Sequence, residues 1–210
     1  MFPNSIDIVF ADQHFTLLKE RVAYWHKHKM LLIADVHAGK ASHFRNNGIP
    51  LSTDYLLNDL HTIQTLQQRL NATKICFLGD LYHTLSNEEN LLTDQFLNDL
   101  ESEIELVIGN HDRHSIRHST IKCTEAYELD GILLSHEPEE TSSPNIYGHL
   151  HPAYSIGGKG RQSIKMPCFY VGEKKLVLPA FGSLNGRRIY ENLVKSSQII
   201  LTSKDGLITV

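Results

Sequence analysis

The order of apolar and polar segments predicts an α/β fold built on two packed sheets flanked by helices. Three observations carry this. Short apolar runs alternate with longer segments at helical spacing through the first half of the chain. The last third holds more strand than helix, broken by Gly-rich turns. Asp, Asn and His cluster just past the C-terminal ends of the predicted strands. With 210 residues the chain can bury one sizeable core but not comfortably two, and it has no repeat, low-complexity tract or linker, so residues 1–210 are expected to form a single domain.

Ile6–Phe10 and Phe15–Leu18 read as strands, and Met30–Ala34 as a buried one. Pro50 to Thr53 supplies a turn and cap, after which Leu56, Leu60, Ile63, Leu66 or Gln67, and Leu70 fall at helical spacing and predict a helix over roughly 53–70. Lys74–Leu78 is another buried strand. Asn87, Glu88 and Glu89 open a second helix with its carboxylates in the first turn, and Leu92, Phe96 and Leu100 mark its apolar side. Ile104–Ile108, Gly131–Leu134 and Ile146–Tyr147 read as short strands. So do Cys168–Val171, Lys175–Leu178, Gln198–Leu201 and Leu207–Val210, while 157–161 reads as a hairpin loop or a mobile lid.

Composition excludes several classes. No apolar run approaches the roughly 18 residues of a membrane helix. Neither a basic n-region nor an apolar h-region opens the sequence, and the three cysteines share no C-x-x-C spacing. They read as reduced, mostly buried thiols, so a cytoplasmic protein is expected. A net charge of −4 and a pI near 6.3 mean that any polyanion site must be local or metal-assisted. The unusual number is 13 histidines against one tryptophan. Histidine is the commonest metal ligand and the usual acid or base near neutral pH, so the positions of these side chains matter most.

Five predicted strands end in such groups: Asp35-Val-His37, Gly79-Asp80-Leu-Tyr-His83, Gly109-Asn110-His111-Asp112, Ser135-His136 and Gly148-His149-Leu-His151. Strand ends of an α/β sheet open into a common crevice. Each string alone is ordinary turn or cap chemistry. Together Asp35, His37, Asp80, Asn110, His136, His149 and His151 offer only O and N donors, too many for one ion and suited to two divalent ions that share a carboxylate. That donor set fits Mn²⁺, Fe or Zn²⁺ rather than a structural thiolate site.

In this order, D-x-H, G-D-x-x-H, G-N-H-D, a lone H and G-H-x-H resemble the calcineurin-like metallophosphoesterases. Narrower strings are similar to the bacterial DNA-ligase-associated subfamily: Ala34 to Lys40, His43-Phe-Arg45 with Gly48-Ile-Pro50, Gly109 to Arg113, Ser135 to Pro138 and Pro179 to Gly182. The resemblance implies a four-layer α/β/β/α sandwich and two divalent ions, Mn²⁺ foremost. Asp35, His37 and His151 would hold the first ion, Asp80 would bridge, and Asn110, His136 and His149 would hold the second. A metal-bridged hydroxide would attack phosphorus, His111 would protonate or stabilise the leaving alkoxide, and Asp112 would orient His111. His83 is a substrate-facing candidate.

The activity so implied is a phosphodiesterase or endonuclease acting on DNA in repair, functionally associated with a DNA ligase and helicase. Arg113 and Arg45, then Lys40 and the pair Arg187-Arg188, are candidate phosphate contacts. His114 and His118 could extend a polar wall; His14, His26, His28 and His61 read as surface, and Tyr24 and Trp25 as an edge of the core. Two rivals remain at this level: a phosphatase or phosphodiesterase for nucleotides or small phosphate esters, and a catalytically silent scaffold. A Lys/Arg band beside the metal crevice would favour nucleic acid over small esters.

Overall fold

The computed structural model describes residues 4–83, 88–114, 121–158 and 162–210. His118 and positions 159–161 of the expected loop lie outside the described residues, as does the side chain of His114. The described fold is mixed α/β, with a seven-stranded and an eight-stranded sheet and four α-helices.

In the first sheet β1 (Ser5–Phe10), β2 (Gln13–Leu18), β3 (Val22–Trp25) and β4 (Met30–Ile33) form an antiparallel meander. It continues in parallel through β5 (Lys74–Leu78), β6 (Glu103–Val107) and β7 (Lys122–Thr124). The second sheet contains β8 (Ala126–Leu129), β9 (Ile132–Ser135), β10 (Asn145–Tyr147), β11 (Ala153–Gly157), β12 (Ser163–Val171), β13 (Lys175–Val177), β14 (Gln198–Thr202) and β15 (Leu207–Thr209). There β10 lies parallel to both β9 and β13.

The continuous apolar runs are explained by burial on both faces. Met30 and Leu32 of β4, with Cys76 and Leu78 of β5, join Trp25, Ile146 and Phe169 in the core between the sheets. Their alternating neighbours Leu31, Ile33, Ile75 and Phe77 face the helices. Against them α2 (Asp54–Leu70) buries Leu56, Leu60, Ile63, Leu66 and Leu70, each worth about 1.5–3 kcal/mol of transfer free energy. A third cluster joins Tyr147, Cys168 and Tyr170 to Leu193 of α4 (Glu191–Ser196). No helix among the described residues is long and apolar enough to cross a membrane.

Several expectations need correction. Tyr24 and Trp25 lie on an interior strand, and Trp25 is fully buried, because β3 is flanked by β2 and β4. Thr53 makes no side-chain cap; the Ser52 hydroxyl accepts the Asp54 N–H instead (3.1 Å). In α3 (Glu88–Asn98) the buried residues are Glu89, Asn90, Thr93 and Leu97; Phe96 and, just past the helix, Leu100 pack on the core as expected, whereas Leu92 is exposed. The helix turns this polar face inward because Glu89 accepts hydrogen bonds from Arg45 Nη2 (2.6 Å) and Ser42 N (3.1 Å) of α1 (Lys40–Asn46). His14, His26 and His61 are exposed, and His28 is half-buried against Trp25 and Asp130.

Candidate metal centre

The five strand ends converge, but from two sheets rather than one. Asp35, Asp80 and Asn110 follow the adjacent parallel strands β4, β5 and β6, whose register pairs Ile33 with Phe77 and Leu78 with Val107. His136 and His149 follow β9 and β10 of the other sheet. Within each half, backbone bonds tie neighbouring strand ends together. Asp35 N–H donates to Gly79 O (3.1 Å), His37 N–H to Asp80 O (2.9 Å), and Gly148 N–H to His136 O (3.2 Å).

Asp35, His37, Asp80, His149 and His151 all hold φ between 46° and 61°, the left-handed region that non-glycine residues rarely occupy. Such strain persists only where surrounding structure over-determines it, and it concentrates at functional sites. Gly79, with φ 81°, is needed beside them: a Cβ there would lie 2.1 Å from His136 Nδ1.

Two sets of donor atoms result. Asp35, His37 and His151 lie within 4.8 Å of one another, as do Asp80, His136 and His149. Asp80 Oδ2 is 3.7 Å from His37 Nε2 of the first set and 3.5 Å from His136 Nε2 of the second. Asn110 Oδ1 lies 3.2 Å from His136 Nε2, which is 3.1 Å from His149 Nδ1. A third set, His37, His83 and His111, meets the same distance limit but contains no carboxylate.

The fit to a cation is direct. Asp35 is fully buried and its Oδ1 accepts no hydrogen bond, its partner being His151 Nε2 at an ion-pair distance of 3.4 Å. Its Oδ2 accepts the His149 N–H (2.9 Å). A buried carboxylate oxygen left this way is costly unless a cation satisfies it. His136 Nδ1–H donates to Leu78 O (2.9 Å), which turns Nε2 towards the centre, an arrangement common in metal-binding histidines.

The electrostatics divide the donors, with His37 held neutral and His136 held charged by Asp80. Burial lowers the His37 imidazole to about 2, keeping it neutral as a ligand must be. Burial works against the Asp80 carboxylate, yet His136, the His111 N–H and His37 outweigh it and hold it at about 2. Burial also disfavours the His136 cation, but Asp80 raises it to about 9.

His111 and Asp112 behave differently from expectation. Asp112 does not touch the His111 ring. Fully buried, it accepts the N–H groups of Asp80 (2.7 Å), Tyr82 (2.9 Å) and Gly109 (2.9 Å), fixing the loops that carry the donors. Burial raises its carboxyl to about 6 against the pull of those amides. The His111 tautomer is set instead by the His83 carbonyl, which accepts from Nδ1 (3.0 Å) and leaves Nε2 as the available nitrogen. The His111 ring stacks on His83 at 4.9 Å and meets His37 edge-on at 5.0 Å. Burial, with Lys40, lowers His83 to about 4.

Arg45 is committed elsewhere, to Glu89 and to the Leu51 carbonyl (3.0 Å), so its visible work is to hold α1 against α3. Arg113 lines a recess of about 180 Å³ with Asn110 and His136, its guanidinium 3.1 Å from exposed Glu125. Asn185 belongs to no recognisable motif. It donates from Nδ2 to Asp35 O (2.6 Å) and accepts from Lys40 Nζ (2.9 Å). Burial depresses the Lys40 ammonium, opposed by Asp35 and Asp80. Only a polar residue soon after Pro179-Ala-Phe-Gly182 hints at it in the sequence. Asn185→Ala is expected to leave the fold intact and to weaken metal affinity by about 10–100-fold, read by metal titration.

No protein-family model matches the chain, and no curated protein matches it by sequence. Among solved structures it is similar to the nuclease MPE of Pseudomonas putida, with 24% identity, a TM-score of 0.81 and coverage of 99% of this chain and 100% of that one. A protein of unknown function from Aquifex aeolicus overlaps with a TM-score of 0.42, at 19% identity over 63% of this chain and 82% of its own. The E. coli phosphoesterase Yfce overlaps with a TM-score of 0.40, at 14% identity over 86% and 91%. Neither of these two overlaps is deep enough to bear on function. The chain therefore has the fold of the Pseudomonas nuclease.

Proposed function

We propose that this protein is a dinuclear-metal phosphodiesterase acting on nucleic acid, with DNA in repair as its substrate. The observation that carries this reading is the position of Asp80 Oδ2 between His37 and His136, with orphaned Asp35 Oδ1 in the same centre. In this reading residues 1–210 are one domain of the four-layer α/β/β/α type. Asp35, His37 and His151 hold one ion, Asn110, His136 and His149 the other, and Asp80 both. When bound, two divalent cations would neutralise phosphate oxygens and make a water acidic enough to attack at neutral pH.

The chain's own groups supply the rest. His111 presents Nε2 to the leaving oxygen as acid or hydrogen-bond donor, with Nδ1–H anchored on His83 O. Asp112 keeps the strand-end loops in register by binding three of their amides. His83 backs His111 by stacking, and Arg113 borders the second set of donors. Mn²⁺ is the first ion to test, with Fe and Zn²⁺ as alternatives. Three free cysteines fit a reducing compartment, the cytoplasm. Functional association with a DNA ligase and helicase rests on the family likeness alone, as does the repair role; the nuclease nature of the Pseudomonas neighbour supports the substrate class.

The test is hydrolysis of bis-p-nitrophenyl phosphate beside the monoester, in Mn²⁺ and in EDTA. Metal-dependent diester cleavage is expected, lowered by about 10²–10⁴-fold in His111→Ala. Monoester turnover with little diester cleavage would favour the small-ester reading, and no turnover in any divalent metal would favour a silent scaffold.

A further inference from the structure

Resting on that reading of the metal centre, we infer that a cationic groove leading away from His151 binds the phosphodiester backbone of the DNA strand on one side of the cleaved bond. The groove encloses about 460 Å³, and its basic residues are Lys19, Arg21, Lys165, Arg187 and Lys204. It adjoins the centre: a smaller recess walled by His151, Asn185 and Pro152 shares Arg21, Pro167 and Arg187 with it. Backbone ties fix the shared wall, since Arg188 N–H donates to His151 O (3.0 Å) and Ala153 N–H to Arg188 O (2.8 Å).

Charge selects the occupant. In a chain of net charge −4, this surface carries five cations against Glu20 and Asp59. Both acids are engaged: Glu20 lies 3.6 Å from Arg69, and Asp59 accepts from the Ser183 N–H (3.2 Å) and hydroxyl (2.8 Å). Lys165, Arg187 and Lys204 are exposed, and Arg187 is held by donating to the Lys165 carbonyl (3.0 Å). Arg21 is held by Ala180 O (3.2 Å) and Phe181 O (3.3 Å); burial first and the Arg187 guanidinium second depress it, with Asp59 opposing them. Phosphates lying along the groove relieve this repulsion. A small phosphate ester fills the metal centre alone and gains nothing from a groove beyond it. A strand gains a row of phosphate contacts, with exposed Ile164 and neighbouring Met166 as apolar ground for sugar or base.

The experiment compares wild type with the double variant Lys165→Gln/Lys204→Gln on a single-stranded oligodeoxynucleotide of about 20 nucleotides, longer than one binding site. KM is expected to rise about tenfold with kcat within about twofold, and the slope of log KM on log salt to fall by about 1.4 for two lost contacts. Hydrolysis of bis-p-nitrophenyl phosphate is expected to be unchanged, and Lys195→Gln on α4, outside the groove, to change neither assay. An unchanged KM and salt slope in the double variant overturns the proposal. If wild type cleaves neither substrate, the phosphodiesterase reading fails, and fluorescence anisotropy with the same oligonucleotide decides the groove. A Kd weakened about tenfold in the double variant then upholds nucleic-acid binding there, and an unchanged Kd rejects it.

Discussion

Asp80→Asn is expected to lower metal-dependent diester hydrolysis by about three orders of magnitude or more, with the fold retained. The substitution keeps volume and one acceptor: Oδ1, which receives the His111 N–H (2.9 Å), survives as the amide oxygen. It replaces Oδ2, the atom facing both His37 and His136, with an NH₂ group that cannot bind a cation. Losing about 4 kcal/mol of charge stabilisation corresponds to about three decades of rate. A second readout separates metal loss from misfolding. Metal bound at about 100 times its Kd adds about 2.7 kcal/mol to stability, which for a chain of this length raises Tm by about 5–10 °C. Wild type is expected to show that rise in Mn²⁺, and Asp80→Asn little of it from a similar starting Tm. Full activity or a full metal-induced rise in the variant would sink the bridging role.

Gly79→Ala is expected to cost about 2–6 kcal/mol, summing left-handed strain with overpacking. The φ of 81° disfavours any side chain, and the new Cβ would sit 2.1 Å from His136 Nδ1 and 2.3 Å from its Cγ. The ring cannot step aside cheaply, because Nδ1 is bonded to Leu78 O (2.9 Å). Gly131→Ala is the matched control: φ is 76° there, but a Cβ meets nothing within 4 Å, so only the strain of about 1–2 kcal/mol remains. Urea unfolding of the two variants reads the difference. Equal losses would mean that crowding at His136 is not what Gly79 relieves.

The sequence carried the front of the fold well because its buried strands are short apolar runs and α2 places five apolar residues on one face. It carried β3 poorly: Val22–Trp25 lacks flanking turn signals of its own and shows its place only when β2 and β4 pair with it. Phe96 and Leu100 pack on the core as their spacing predicts, but the polar part of α3's inward face was unreadable because Glu89 is buried by a partner 44 positions away, Arg45. Residue types at the strand ends were legible, since Asp, Asn and His after an apolar run need no structure to be seen. Their left-handed backbone was not, because φ is imposed by the packing of two sheets. Nor were the main-chain partners of Asp112 and Asn185, which leave no trace in residue identity.

The most direct test of the account is an anomalous difference map from crystals soaked in Mn²⁺. Two peaks are expected, one bordered by Asp35, His37 and His151, the other by Asn110, His136 and His149, with Asp80 Oδ2 in reach of both. A single peak, or metal seated instead among His37, His83 and His111, would contradict the dinuclear centre.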